Sequence, residues 1–290
     1  MRPRAPDVAY PSRPGRRSLG GVDVVHGTNF LGPPAPSTVL TVHDLTPLRH
    51  PELVEPAVAA KAPAIRAAIE GGAWVHTPSE AVAAELRSVV SSDRIRVVHQ
   101  GLGVPQPSDD GAGRRLAGAD RYLLVLGTTE RRKAVTRVVR AMHAVPADVR
   151  LVIAGPAGND EAEIQQAIAD ERIDHRTVRL TDVDATTRDS LLGDAIALVL
   201  ASSYEGFGFT PLEAAAIGTP VVATAVGALP ELIGDLVPLA DPDSPDLAPL
   251  LRAACEDPSM PSAVTDRVRA LTWDAHAAAM VDLYRLAAAS

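Results

Sequence analysis

Short β-branched runs alternate with alanine-rich stretches along most of the chain, and this alternation constrains the fold more than any other feature. Period-2 or wholly apolar runs of strand length occur at 22–26, 39–42, 74–77, 95–99, 122–126, 149–154, 178–180, 197–200 and 220–223. Such runs separated by helical stretches predict βαβ units and parallel sheets. Because 290 residues exceed the usual size of one such domain, we expect two.

The helical stretches between these strands carry apolar residues at helical spacing, and Ser79 suits the N-cap of one of them. The predicted helices are 52–70, 79–89, 130–143, 161–172, 186–192 and 210–217. Proline, glycine and aspartate accumulate at 106–120, which predicts a linker between the two domains. Ligands bind at the carboxyl ends of strands in such sheets, so the residues just after each strand are the candidates for function.

Composition excludes several classes of protein. A net charge of −8 argues against non-specific binding of nucleic acid. Cys255 is the only cysteine, which excludes an internal disulfide and is typical of a small buried hydrophobe. No apolar run approaches the roughly 18 residues of a membrane span, and the start of the chain lacks the apolar region of a secretory signal. We therefore expect a cytoplasmic protein, with residues 1–21 a disordered leader whose five arginines could touch an anionic membrane.

The most informative segment follows the strand at 197–200 and reads YEGFGFTPLE from Tyr204 to Glu213. Its glycines allow close backbone approach to a ligand, and Thr210 is a good N-cap for the helix that follows. A helix N-terminus after a glycine loop is suited to a diphosphate. Glu213 has two interpretations: it closes a capping box with Thr210, or it binds a hydroxyl beside the phosphates.

A second segment, GTTERRK from Gly127 to Lys133, also follows a strand. Three consecutive cations in the first turn of the predicted helix oppose the helix dipole. A bound diphosphate would compensate them, whereas the alternative is a solvated basic face.

Polar residues at three further places have mainly structural interpretations. His43 and Asp44 follow the strand at 39–42, where Asp44 could simply cap a turn. The pairs Asp182/Asp184 and Asp241/Asp243 have the spacing of some metal sites, but the second pair lies in a proline-rich loop and the first where such a fold needs a nucleobase-binding edge, and we predict no metal site.

Together these residues resemble glycosyltransferase family 4, a large group of retaining enzymes with the GT-B fold. The resemblance rests on the EGFG segment with Glu213, on GTPVVA at 218–223, on LPE at 229–231, on GTTERRK, on DVVHG at 23–27, on His43-Asp44 and on Trp273. Thr128, Arg131 and Ala134 depart from the usual family pattern. Members also carry a longer segment before DVVHG, so we expect a truncated N-terminal domain that could self-associate.

The resemblance implies roles for individual residues. Lys133 and Arg132 would hold the diphosphate of the donor, Glu205 would bind hydroxyls of the transferred sugar, and Glu213 would bind the ribose. Val183 would lie along the base, and His43 would face the sugar from the other domain. The catalytic candidates are His43, Lys133 and Glu205; the donor-binding candidates are Thr128, Arg132, Lys133, Val183, Gly206, Phe207, Gly208, Phe209, Thr210 and Glu213.

The implied architecture is α/β and GT-B-like, with two Rossmann-like parallel-sheet domains. The acceptor-side domain would comprise 22–105 with a returning helix at 273–289, and the donor-binding domain 121–272. The implied function is retaining transfer of a hexose, mannose or glucose being first choices, from a nucleotide sugar to an acceptor hydroxyl on a glycan or lipid-linked glycan, without cofactor or metal. The alternative is a catalytically silent nucleotide-sugar-binding remnant or partner subunit.

Overall fold

The computed structural model describes residues 22–32, 37–108, 110–243 and 246–290, so the predicted leader at 1–21 lies outside the described residues. The first half forms a parallel sheet whose strands follow one another in the order β1-β2-β3-β4. These strands are β1 Val25–Gly27, β2 Thr38–Thr41, β3 Trp74–Thr77 and β4 Ile95–Val97. Their carboxyl ends therefore share one edge of the sheet.

Four helices accompany this sheet: α1 Thr46–Arg49, α2 Pro56–Ala59, α3 Ala62–Glu70 and α4 Glu80–Arg87. The prediction of one helix over 52–70 is wrong, because a 3₁₀ turn at Pro51–Leu53 and two separate helices occupy this stretch. Each piece begins with proline at its first or second position, where the missing N–H costs nothing and the helix cannot extend backward. The Ser79 N-cap is confirmed, since its Oγ accepts from the backbone N–H of Val82 at 3.1 Å.

The second sheet is also parallel, but its strand order reverses direction. Its strands are β5 Tyr122–Leu126, β6 Arg150–Ala154, β7 Thr177–Leu180, β8 Ala197–Leu200 and β9 Val221–Ala223, arranged β7-β6-β5-β8-β9. The chain winds outward from β5 to β7 and then returns to place β8 on the other side of β5. The carboxyl ends of β5 and β8 therefore form a topological switch point, where sheets of this kind bind ligands.

Helices cover both faces of the second sheet and bury its strands. They are α5 Ala112–Ala117, α6 Val135–Ala141, α7 Glu161–Asp170, α8 Ala185–Asp194, α9 Phe209–Ala216, α10 Leu229–Leu232, α11 Ala248–Glu256 and α12 Ser262–Arg269. Leu124, Leu198 and Leu212 belong to the core on one face, and Leu123 and Ile164 to the core on the other. Burial on both faces explains why the central strands β5 and β8 are apolar throughout, whereas the half-buried edge strand β7 also contains Thr177 and Arg179.

The stretch 106–120 contains helix α5 and is not irregular throughout. A Cβ added to Gly113 would lie 2.4 Å from the carbonyl oxygen of Ser190 in α8, so the two helices touch at this glycine. Gly118 ends α5 in the left-handed conformation. The composition of 106–120 did not indicate this short helix, which is stabilised by packing against α8.

The last helix, α13 Trp273–Ala288, returns to the first sheet. Its Met280 and Leu283 pack with Val39 and Trp74, and the Tyr284 hydroxyl lies 2.7 Å from Nδ1 of His26. None of the helices that the structure describes has both the length and the apolar character needed to cross a membrane.

Candidate active site

Two loops meet at the switch point, one after β5 and one after β8. The loop after β5 ends in a 3₁₀ turn, Arg131–Lys133, and Ala134 then adopts the left-handed conformation before α6 begins at Val135. The prediction that the three cations occupy the first turn of one helix over 130–143 is therefore wrong. The tighter turn sends Arg131 outward to Glu163 at 3.2 Å, while Arg132 and Lys133 face the second loop.

Arg132, Lys133 and Glu205 form an ion triad between the loops. Lys133 Nζ lies 2.5 Å from Oε1 of Glu205, and Arg132 Nη1 lies 2.9 Å from its Oε2. The Ser202 hydroxyl donates to Oε1 at 2.8 Å. Burial alone would raise the pKa of Glu205, but Lys133 and then Arg132 outweigh it, so this pKa lies below its usual value.

The charges of the triad do not cancel, because two cations surround one carboxylate; Glu130, 2.8 Å from Arg132 Nε, adds a more exposed acid at the side. The side chain of Glu205 is 11% exposed and that of Lys133 is 18% exposed. Lys133 and Arg132 are both largely shielded from water. Such a pair of cations is a strong site for an anion, provided that the anion can displace Glu205.

The glycine loop that carries Glu205 touches the first domain directly. A Cβ on Gly206 would lie 2.0 Å from the carbonyl oxygen of His43, and the Ser79 hydroxyl donates to the Gly206 carbonyl at 3.0 Å. The preceding Tyr204 accepts from the Leu45 N–H at 2.7 Å and donates to Glu85. Only glycine permits this approach, which brings the two halves of the chain together at the loop.

Helix α9 begins at Phe209 and its N-cap is Gly208, with a φ of 91° and no side-chain cap. The prediction of Thr210 as N-cap is therefore wrong, and of the two interpretations of Glu213 the capping box is excluded. Glycine accepts the left-handed turn that leads into the helix, and this starts the helix two residues before the position that Thr210 would have fixed. Gly218 at the other end is left-handed, as a C′ glycine should be.

Glu213 has a different partner, Arg188 of α8, whose Nη2 donates to its Oε2. Burial raises the pKa of Glu213 above its usual value even though Arg188 opposes the rise. Sequence inspection missed Arg188, which lies in a helix of ordinary composition and is brought here only by the α8–α9 arrangement. Val183, in the loop after β7, is half-buried and packs against the core that contains Leu198 and Leu212.

A cleft of about 330 Å³ lies between the two halves of the chain. Its second-domain wall includes Lys133, Glu205 and the loop from Gly206 to Thr210, and its first-domain wall includes His43 and Gln100. Thr128 instead borders a small second pocket, which Lys133 also lines. The structure thus gathers most of the predicted residues around one cavity, with Arg132 behind Glu205 and Glu213 one turn into α9.

Asp44, Asp184 and Asp241 have structural partners. Asp44 Oδ1 accepts from the Thr46 N–H at 2.9 Å, Asp184 caps α8 through the Thr187 N–H, and Asp241 accepts from the backbone of Asp243. Among the residues the structure describes, no three His, Cys, Asp or Glu side chains are grouped to hold a metal ion.

The fold and the cleft define the class to which the chain belongs. Residues 112–270 match the family model described as glycosyl transferases group 1, and the chain belongs to this family. It is 36% identical over 234 residues to the D-inositol 3-phosphate glycosyltransferase of Mycobacterium avium, covering 73% of this chain and 54% of that protein. It is 31% identical over 239 residues to the protein of the same name from Pseudarthrobacter chlorophenolicus, covering 76% of this chain and 57% of that one. The chain thus spans about half the length of these relatives.

Solved structures resemble the whole described architecture. Sucrose-phosphate synthase from Thermosynechococcus elongatus superposes with a TM-score of 0.78 at 24% identity, covering 93% of this chain and 75% of that one. Anabaena HepE in complex with UDP and glucose superposes with a TM-score of 0.71 at 20% identity, covering 85% and 71%. The likeness shows the fold: two parallel-sheet α/β domains arranged as in GT-B glycosyltransferases.

Proposed function

We propose that this protein transfers a hexose from a nucleoside diphosphate sugar to an acceptor hydroxyl, with retention of the anomeric configuration. One observation carries the proposal: Lys133 and Arg132 both pair with the carboxylate of Glu205 at the switch point, and Lys133 and Glu205 line the interdomain cleft. A diphosphate is a ligand that can satisfy both cations at once. Membership of the glycosyltransferase family supports the same assignment.

In this proposal the diphosphate replaces Glu205 as the partner of Lys133 and Arg132. The released carboxylate of Glu205 then accepts from hydroxyls of the sugar, which lies in the cleft against the Gly206–Thr210 loop. As the bond between the sugar and the diphosphate breaks, the two cations stabilise the charge that develops on the leaving group. Gly206 lies directly against the His43 carbonyl, so the two halves of the chain meet beside the proposed sugar position.

Glu213 would bind the ribose, with Val183 beside the base. Arg188 holds the Glu213 carboxylate in place, so a ribose diol would meet an acceptor already oriented. UDP is the first nucleotide to test, because HepE was solved with it. D-inositol 3-phosphate is the first acceptor to test, because the relatives are named for it; a glycan or lipid-linked glycan, with peripheral contact to the membrane, is the broader proposal.

Calorimetric titration with UDP, GDP and ADP, followed by transfer assays with the matching sugar nucleotides, tests the assignment. Lys133→Ala should weaken nucleoside diphosphate binding by about 1.5–3 kcal/mol, the scale of a charge-assisted hydrogen bond. Arg131→Ala is the matched control, because Arg131 lies in the same turn but faces solvent. Equal affinities in both variants would refute the diphosphate site, and tight binding without transfer to any acceptor would instead support a silent binding protein.

A further inference from the structure

Gln100 is a polar residue that was not among the predicted site residues, and it lies at the cleft beside His43. It is 8% exposed, follows β4, and borders the same cavity as the candidate donor loop. His43 follows β2, and Thr28 follows β1, so all three stand at the carboxyl edge of the first sheet. A buried amide at this edge must have a partner, because an unpaired one would be costly.

The hydrogen bonds of His43 determine which of its ring nitrogens carries the proton. Nε2 lies 2.9 Å from the carbonyl oxygen of Thr28. A carbonyl oxygen can only accept, so Nε2 must donate and carries the hydrogen. In the neutral ring Nδ1 is then an acceptor.

Gln100 supplies the donor that Nδ1 requires. Its Nε2 lies 3.1 Å from Nδ1 of His43, and the orientation of the amide follows from the same reasoning, since the carbonyl end would repel the Nδ1 lone pair. The chain Gln100–His43–Thr28 is therefore consistent with only one arrangement of hydrogens for a neutral imidazole. Both ring nitrogens are occupied by the protein.

We propose that Gln100 is a positioning residue of this site, which holds His43 as its neutral Nε2–H tautomer with the ring fixed in the cleft. The inference rests on the proposed function only in placing the sugar against His43. In this inference His43 lines the cleft in a fixed orientation. It does not accept a proton from a ligand, because a proton on Nδ1 would break the hydrogen bond with Gln100. Fixing a group before the ligand arrives removes an ordering cost from the reaction.

Charged and titratable groups face His43 from both halves of the chain, and the test must keep them constant. His26 and His76 interact electrostatically with His43 from inside the first domain. Asp44, Lys133 and Glu205 share its cleft. Replacing Gln100 alone leaves all five in place.

The test is ¹⁵N NMR of the full chain with labelled histidine, the His43 signals being assigned by their loss in His43→Gln. In the unchanged protein we expect the Nε2–H tautomer. Gln100→Met keeps the length of the side chain but cannot donate; Thr28 still accepts from Nε2–H, so the tautomer should persist while the Nδ1 signal shifts because its hydrogen bond is lost. Gln100→Glu places an acceptor at Nδ1 and should put a proton on that nitrogen. Gln106→Ala, an exposed control after the same strand, should change nothing.

Steady-state kinetics provides a second test. In Gln100→Met, kcat should fall about tenfold, the size of one lost hydrogen bond, with the donor KM within about twofold. A wild-type His43 protonated at Nδ1, an Nδ1 signal unchanged in both Gln100 variants, or an unchanged kcat in Gln100→Met would overturn the inference. The NMR result stands even if no sugar transfer is detected, so failure of the proposed function and failure of this inference are distinguishable.

Discussion

Replacing Glu205 with glutamine is expected to change stability and ligand affinity in opposite directions. In the free protein the carboxylate compensates two cations whose side chains are 18% and 26% exposed. Removing its charge leaves Lys133 poorly hydrated and beside a neutral amide, and leaves Arg132 with Glu130 as its remaining acidic partner. Each charge-assisted hydrogen bond contributes about 1.5–3 kcal/mol, but the remaining exposure and the surviving amide reduce the loss. We expect unfolding free energy to fall by about 1–3 kcal/mol, or several degrees in Tm.

Binding of UDP should strengthen in the same variant. In the unchanged protein the diphosphate must displace Glu205 and then lie beside its negative charge. In Glu205→Gln both costs largely disappear, and we expect affinity to rise about five- to tenfold, which is roughly 1–1.4 kcal/mol. Sugar transfer should nevertheless fall, because the glutamine no longer offers a charged acceptor to the sugar hydroxyls.

The assay combines thermal melts with and without UDP and calorimetric titration of both forms. UDP should raise the Tm of Glu205→Gln more than that of the unchanged protein, because tighter binding to the folded state adds more stability. Glu163→Gln is the control: it also removes an acid paired with this turn, but its pair with Arg131 is largely exposed. If Glu205→Gln melts like this control and binds UDP no more tightly, the triad is not the diphosphate site.

Three further outcomes are expected. Glu213→Gln should weaken binding of UDP but not of its 2′,3′-dideoxy analogue, and equal losses for both would contradict a ribose contact. Gly206→Ala should lower affinity and transfer because its Cβ meets the His43 carbonyl, whereas Gly103→Ala, with nothing within 4 Å, should behave normally in the same assays. The Arg179 side chain lowers the pKa of Glu161 from 4.5 to about 2. The ionised Glu161 therefore contributes its full share of folding stability above about pH 5, and this stability is lost as the pH falls toward 2. The unfolding free energy of Glu161→Gln should depend less on pH in that window, which acid unfolding curves would measure.

Binding should also be insensitive to a chelator, since the proposed compensation of the diphosphate comes from Lys133 and Arg132 alone. Titration with and without EDTA checks this, and loss of binding in EDTA would show that a metal ion takes part.

The architecture could be predicted because its signals are local. A strand buried on both faces must be apolar along its length, and a parallel connection must contain a crossover, so βαβ order follows from the chain itself. The glycine loop at 206–208 and the basic turn were recognisable for the same reason, since each depends on consecutive residues. The domain boundaries, the short first domain, the retaining mechanism and metal independence remain predictions.

Pairings between distant residues were decided only by the tertiary structure. Lys133 meets Glu205 across 72 residues because β8 inserts beside β5 and brings both loops to one edge. Arg188 reaches Glu213, and Gln100 reaches His43, only because helices and strands far apart in the chain pack side by side. Helix starts also escaped prediction where Gly208 and Ala134 adopt left-handed backbone. Local propensity determines which elements form, whereas strand order and packing determine which side chains meet, and that information is carried by the core as a whole rather than by any one segment.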